Sequence, residues 1–166
     1  LGRDASDVLI CPPAKDGDQA ILGRRGSRLH MIKCHGVDED SRFYGEGGGR
    51  FPDALSSPTL LGRTVPGTVV GAMCCYGADL FDPTAPTAQH PPEVPISSTY
   101  LKQGAHGFLG SSTIAWVGPM TMMCADWIVT GFLKAATSGA SLGRAALEAK
   151  QDYLRCVTEK LLTYAT

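Results

Sequence analysis

Apolar residues along this chain fall into short runs that stop abruptly at small or reactive residues. Asp7-Val-Leu-Ile-Cys11 is followed by Pro12-Pro13 and reads as a strand that the prolines terminate. Leu29 to Cys34 forms a second run, ending at His35-Gly36. Thr68-Val-Val-Gly-Ala-Met73 is a third, apolar on both faces, as expected of a strand inside a parallel sheet. Gly107 to Ser111 is a shorter fourth. Long segments, 36–67 and 76–106, separate the second, third and fourth runs. A hairpin needs only a few linking residues, whereas a parallel crossover needs a dozen or more and usually carries a helix.

Helices are predicted around Pro52 to Leu61, around Ser97 to Ala105 with an end near Gly104, and from Ala125 to Ala136, interrupted only by Gly131. The clearest helix is the last. Leu142, Ala146, Ala149, Tyr153, Val157, Leu161 and Tyr164 recur at intervals of three and four, with Arg144, Glu148, Arg155 and Glu159 falling elsewhere. Ser141 suits its N-cap. Gly45 to Gly49 and the proline-rich Asp82 to Pro95 read as surface loops. The sum is a single small α/β domain over residues 1–166 with a mostly parallel sheet. In such sheets, sites form beyond the carboxyl ends of the strands.

Composition narrows the function classes. Of 166 residues, 43% are hydrophobic and 19% charged, which is globular rather than disordered. Fifteen basic against sixteen acidic residues give a net charge of -1, with no Lys/Arg cluster. A nucleic-acid or anionic-membrane partner is therefore not expected. The longest apolar runs, such as Val69 to Cys75, fall far short of the ~20 residues that span a bilayer. Leu1 in place of Met suggests a processed start or a piece of a longer precursor. Six cysteines, at 11, 34, 74, 75, 124 and 156, lack the density of a secreted disulfide scaffold. They are expected as free thiols in a reducing, cytoplasmic setting, with secretion as the alternative.

Two strand ends could carry chemistry: His35-Gly36 after the second run, and Cys74-Cys75-Tyr76-Gly77 after the third. In adjacent parallel strands both open on one sheet edge, so an imidazole could approach a thiol there. The Gly36 N–H could help to hold a carbonyl oxyanion. The plainer reading is that a cysteine ending a core strand serves packing. A zinc site from Cys34, His35, Cys74 and Cys75 is disfavoured, because neighbours on a strand point to opposite faces. No metal or other cofactor is expected. Gly139-Ala-Ser141-Leu-Gly143 matches a serine-hydrolase elbow, but a helix pattern rather than a strand precedes it. His30 and His106 read as structural histidines, and His90 as a solvated one. Gly45 to Gly49 lacks the Lys-Ser/Thr of a phosphate loop.

Leu29-His-Met-Ile-Lys-Cys-His-Gly36 followed by Thr68-Val-Val-Gly-Ala-Met-Cys-Cys-Tyr-Gly77 resembles the clan CD cysteine peptidases. That group includes caspases, metacaspases, legumain, gingipains, separase and the bacterial CHAT proteases. Tyr100 to Trp116 is similar to the gingipain and CHAT stretch in which a helix leads into the next core strand, and Ala145 to Tyr153 to the following CHAT helix. The likeness spans roughly residues 27–160. It implies a caspase-like three-layer sandwich and a Cys/His endopeptidase acting on protein or peptide substrates through a thioester acyl-enzyme. It leaves room for an activating partner or another part of the same precursor.

By that resemblance His35 is the catalytic histidine, and Gly36 contributes to the oxyanion hole. Cys-x-x-Gly, shared by legumain, metacaspases, separase and CHAT proteins, maps onto Cys74 as the nucleophile. Cys-x-Gly, as in caspases, maps onto Cys75 as the alternative. Ser111, Ser112 and Trp116 would line the substrate pocket. No third, orienting residue is implied. The chain departs from Arg/Lys-specific relatives in carrying Ala72 where they have an acidic residue. Arg24-Arg25-Gly26 is a candidate self-cleavage site. The alternatives to a peptidase are a catalytically silent scaffold of the same fold, and a thiol-dependent hydrolase or acyltransferase on a non-peptide substrate.

Overall fold

The computed structural model describes residues 8–19, 26–118 and 124–164. The chain divides into two compact units, Leu1–Ala115 and Trp116–Thr166. The first is mixed α/β. Its parallel sheet has the order β1 (Leu29–Lys33), β5 (Val69–Met73), β6 (Gly107–Leu109). Its second sheet is an antiparallel meander of β2 (His35–Gly36), β3 (Arg42–Tyr44) and β4 (Asp53–Ser56). Among the described residues it also carries two short helices, α1 (Ser57–Leu60) and α2 (Ile96–Lys102).

Alternation along β5 turns Val70, Ala72 and then Cys74 into one apolar cluster with Phe43, Leu55, Leu60, Ile96 and Tyr100. This cluster joins the two sheets to α1 and α2. Tyr100 is buried, yet its hydroxyl lies 3.0 Å from His30 Nδ1, which gives both polar groups a partner. His30 is thus a structural histidine.

Three expectations are corrected by the structure. Val8 to Ile10 form no strand; Ala14 N–H donates to Ile10 O at 3.1 Å, curling the chain into a turn at the two prolines. Asp7 lies outside the described residues. The segment around Pro52 to Leu61 is not one helix. Asp53–Ser56 pairs with β3, with Leu55 opposite Phe43, and helix begins only at Ser57, where Pro58 suits the first turn. His90, expected in solvent, sits 3.6 Å from Asp40 and 3.4 Å from the Tyr44 hydroxyl. The loop around it is pinned as well: Arg42 reaches Asp53 and Glu93, Ser41 donates to Glu93, and Ser57 donates to Val94 O.

The second unit contains α3 (Cys124–Thr137) and α4 (Leu142–Tyr164), which pack against one another. Among the described side chains, Val129, Phe132, Leu133, Ala145 and Ala149 are buried apolar residues of these helices, and Asp126 of α3 is buried as well. Ser141 Oγ accepts the Arg144 N–H at 3.4 Å, so this serine caps α4, and no strand precedes it. No helix among the described residues is long and apolar enough to cross a membrane.

Leu60 is fully buried at the junction of α1 with the cluster. Leu60→Ala is expected to lower the unfolding free energy by about 2–5 kcal/mol in urea titration. A loss below about 1 kcal/mol would remove this cluster as the core of the unit.

Candidate active site

The register of β1 against β5 ends with Lys33 beside Met73. The next residues on the two chains are Cys34 and Cys74, then His35 and Cys75. Past that point β1 gives way to β2, whose partner is β3 with His35 opposite Tyr44. His35-Gly36 therefore belongs to the meander while running beside the end of β5. The approach is close: a Cβ added to Gly36 would lie 2.0 Å from the Cys75 carbonyl oxygen and 3.5 Å from Cys74 Cβ. Only glycine fits there.

The two vicinal thiols face different surroundings. Cys74 is 1% exposed and part of the apolar cluster. Burial, with Cys34 nearby, pushes its thiol well above the ordinary value. Cys34 is pushed up to about 11 for the same reason, with Cys11 adding to it. Cys75 is only partly buried. Its Sγ accepts the Ala115 N–H at 3.4 Å and donates to the Ala115 carbonyl oxygen at 3.6 Å.

Residues 111–115 return alongside the turn that follows Cys75. Tyr76 N–H donates to Thr113 O, and Ala78 N–H to Ser111 O, each at 2.8 Å. These bonds hold Tyr76 at φ 53°, a left-handed conformation that costs a bulky residue roughly 1–2 kcal/mol. Of the expected pocket residues, Ser111 is half-buried in this strip and Ser112 is exposed. Trp116 is 68% exposed and belongs to the second unit. Arg24 and Arg25 of the expected cleavage site lie outside the described residues.

His35 has two neighbours that sequence reasoning missed. Its Nε2 lies 3.0 Å from Glu46 Oε2. Its ring meets Phe51 edge to face, with centroids 5.1 Å apart and planes at 89°. Both neighbours sit on the loop between β3 and β4, which was expected only as a glycine-rich surface loop. The missing signal was the hairpin itself, hidden by the helical reading of residues 52–61. Among the described residues, no three His, Cys, Asp or Glu side chains gather to hold a metal ion.

Gly36→Ala is expected to cost about 1–3 kcal/mol, because the new methyl must push the Cys75 carbonyl aside. Gly77→Ala, whose nearest contact would be Cys74 O at 3.1 Å, is expected to cost less. Paired chemical denaturation of both variants checks the order; equal costs would mean that the two strand ends are not locked together at Gly36. No protein-family model, curated protein or solved structure matches the chain.

Proposed function

We propose that the first unit is a caspase-like cysteine endopeptidase with His35 as its acid–base and a thiol of the Cys74-Cys75 pair as nucleophile. The observation that carries this reading is the contact of Gly36 with the Cys75 carbonyl, which sets an imidazole-bearing strand end against a thiol-bearing one. The parallel sheet and the Cys-x-Gly and His-Gly pairs support a caspase-like three-layer arrangement as the parent fold. Of the two thiols, Cys75 is favoured. It is partly exposed and accepts an amide N–H, whereas Cys74 is buried and held neutral by its apolar surroundings.

The chemistry balances with these groups alone. His35 takes the Cys75 proton as sulfur bonds to the substrate carbonyl carbon and the carbonyl electron pair moves to oxygen. The Gly36 amide is the proposed donor to that oxygen. Collapse breaks the C–N bond, the amine leaves with the proton from His35, and a thioester remains. Water then attacks the thioester, giving its proton to His35, which returns it to sulfur as the acid product leaves. Substrates are proteins or peptides.

A second reading, a structural cysteine pair in a catalytically silent domain, is favoured by the burial of Cys74 in the core cluster. Cleavage of a random peptide library, read by mass spectrometry, separates the two. Cys75→Ala and His35→Ala are each expected to reduce turnover by at least about a thousandfold, while Cys74→Ala stays within about tenfold of wild type. Loss in Cys74→Ala with retention in Cys75→Ala would move the nucleophile to Cys74. Equal behaviour of wild type and all three variants would leave the silent reading standing.

A further inference from the structure

The glycine-rich loop after β3 reads from sequence as a flexible tract, yet it is closed on three sides. Gly45 N–H donates to Pro52 O at 2.9 Å, and Gly47 and Arg50 exchange both backbone hydrogen bonds at 3.1 Å. Glu46 N–H donates to Cys11 O at 3.2 Å. The fit against Cys11 is tight, since a Cβ on Gly45 would lie 2.1 Å from the Cys11 carbonyl oxygen. Cys11 Sγ in turn lies 3.8 and 3.7 Å from the carbonyls of Pro52 and Asp53. Gly45 and Gly47 thus serve close packing against Cys11 and Pro12, Gly48 and Gly49 supply the positive φ of the turn, and the tip is a hairpin with a defined position.

Register explains what the hairpin presents. His35 pairs with Tyr44 across the antiparallel ladder, so Glu46, two residues on, is its diagonal neighbour on the same face. Phe51, on the returning arm, closes the ring edge-on. A carboxylate can only accept, so the Nε2 that faces Glu46 carries the hydrogen. The lone pair of the neutral ring then lies on Nδ1.

We infer that Glu46 is a positioning residue for His35, selecting the Nε2–H tautomer and leaving Nδ1 as the nitrogen that exchanges protons with the thiol and the leaving amine. This role rests on the peptidase reading for its catalytic meaning, but the tautomer is a property of the resting protein. In the reaction, Nδ1 gains the thiol proton while Nε2–H stays bonded to Glu46 Oε2, and Nδ1 later gives its proton to the amine. Glu46 itself gains and loses none. His35 and Glu46 are both solvent-accessible, with side chains 52% and 63% exposed. The expected kinetic effect is therefore moderate, roughly three- to tenfold, rather than the collapse caused by losing a catalytic group.

The test combines a spectrum with kinetics on the full chain. Two-dimensional ¹⁵N–¹H correlation of the His35 ring, above the titration of imidazole, is expected to give the Nε2–H pattern in wild type and a tautomer mixture in Glu46→Ala. Glu46→Gln, which keeps an acceptor oxygen, is expected to restore much of the wild-type pattern. On a peptide that wild type cleaves, Glu46→Ala is expected to lower kcat about three- to tenfold with KM unchanged, and Glu46→Gln to recover part of it. An identical tautomer pattern in wild type and Glu46→Ala overturns the inference, as does an altered pattern with unchanged kcat. If wild type cleaves no peptide, the peptidase reading falls by itself, and the ring spectra still decide whether Glu46 sets the tautomer.

Discussion

The parallel pairing of β1 with β5 is the constraint on which the rest of the site depends. Its register, Lys33 beside Met73, determines which residues stand abreast when the two strands leave the sheet. Side chains alternate with a period of two, so a slip of one residue would turn Val70, Ala72 and Cys74 out of the core cluster. It would also carry His35 away from the Cys75 end. Gly36 reinforces the register from beyond the ladder, because any side chain there would collide with the Cys75 carbonyl. Core packing and site geometry are thus consequences of the same alignment.

That alignment gives the vicinal cysteines two different surroundings. Cys74 continues the inward face of β5 and packs against the cluster as a small apolar group. Cys75, one residue on, comes to the rim and contacts the Ala115 backbone. The apolar surroundings of Cys74 favour its neutral thiol. The meander brings the imidazole its own support. Arg42, bonded to Asp53 and Glu93, ties β3 to β4 and to the proline-rich loop, and Glu46 and Phe51 flank His35 from the hairpin tip.

Much of this was legible in the sequence, and the divide follows physical lines. The run ending at Met73 is apolar over a whole strand length, and Leu29, Met31 and Ile32 mark β1, which is why β1, β5 and the meeting of their ends could be anticipated. The last helix was equally plain from its three–four spacing and its Ser141 cap. The meander was not legible. Its strands are two to four residues long, too short for any period to register, and β4 runs directly into α1. Glu46 was hidden with it, since a cross-strand diagonal exists only once the pairing is known. Asp7 to Cys11 failed differently: its apolar run is strand-like, but the prolines after it favour a turn that begins as early as Ile10.

The most direct test of the central claim, a thiol served by His35 at the joined strand ends, is site-resolved alkylation. The native protein is treated with substoichiometric iodoacetamide, and the labelled cysteine is located by mass spectrometry in wild type and in His35→Ala. The account predicts preferential labelling of Cys75 that slows in His35→Ala while Cys74 stays protected. Slow labelling spread over the accessible thiols and unchanged by the loss of His35 would contradict it.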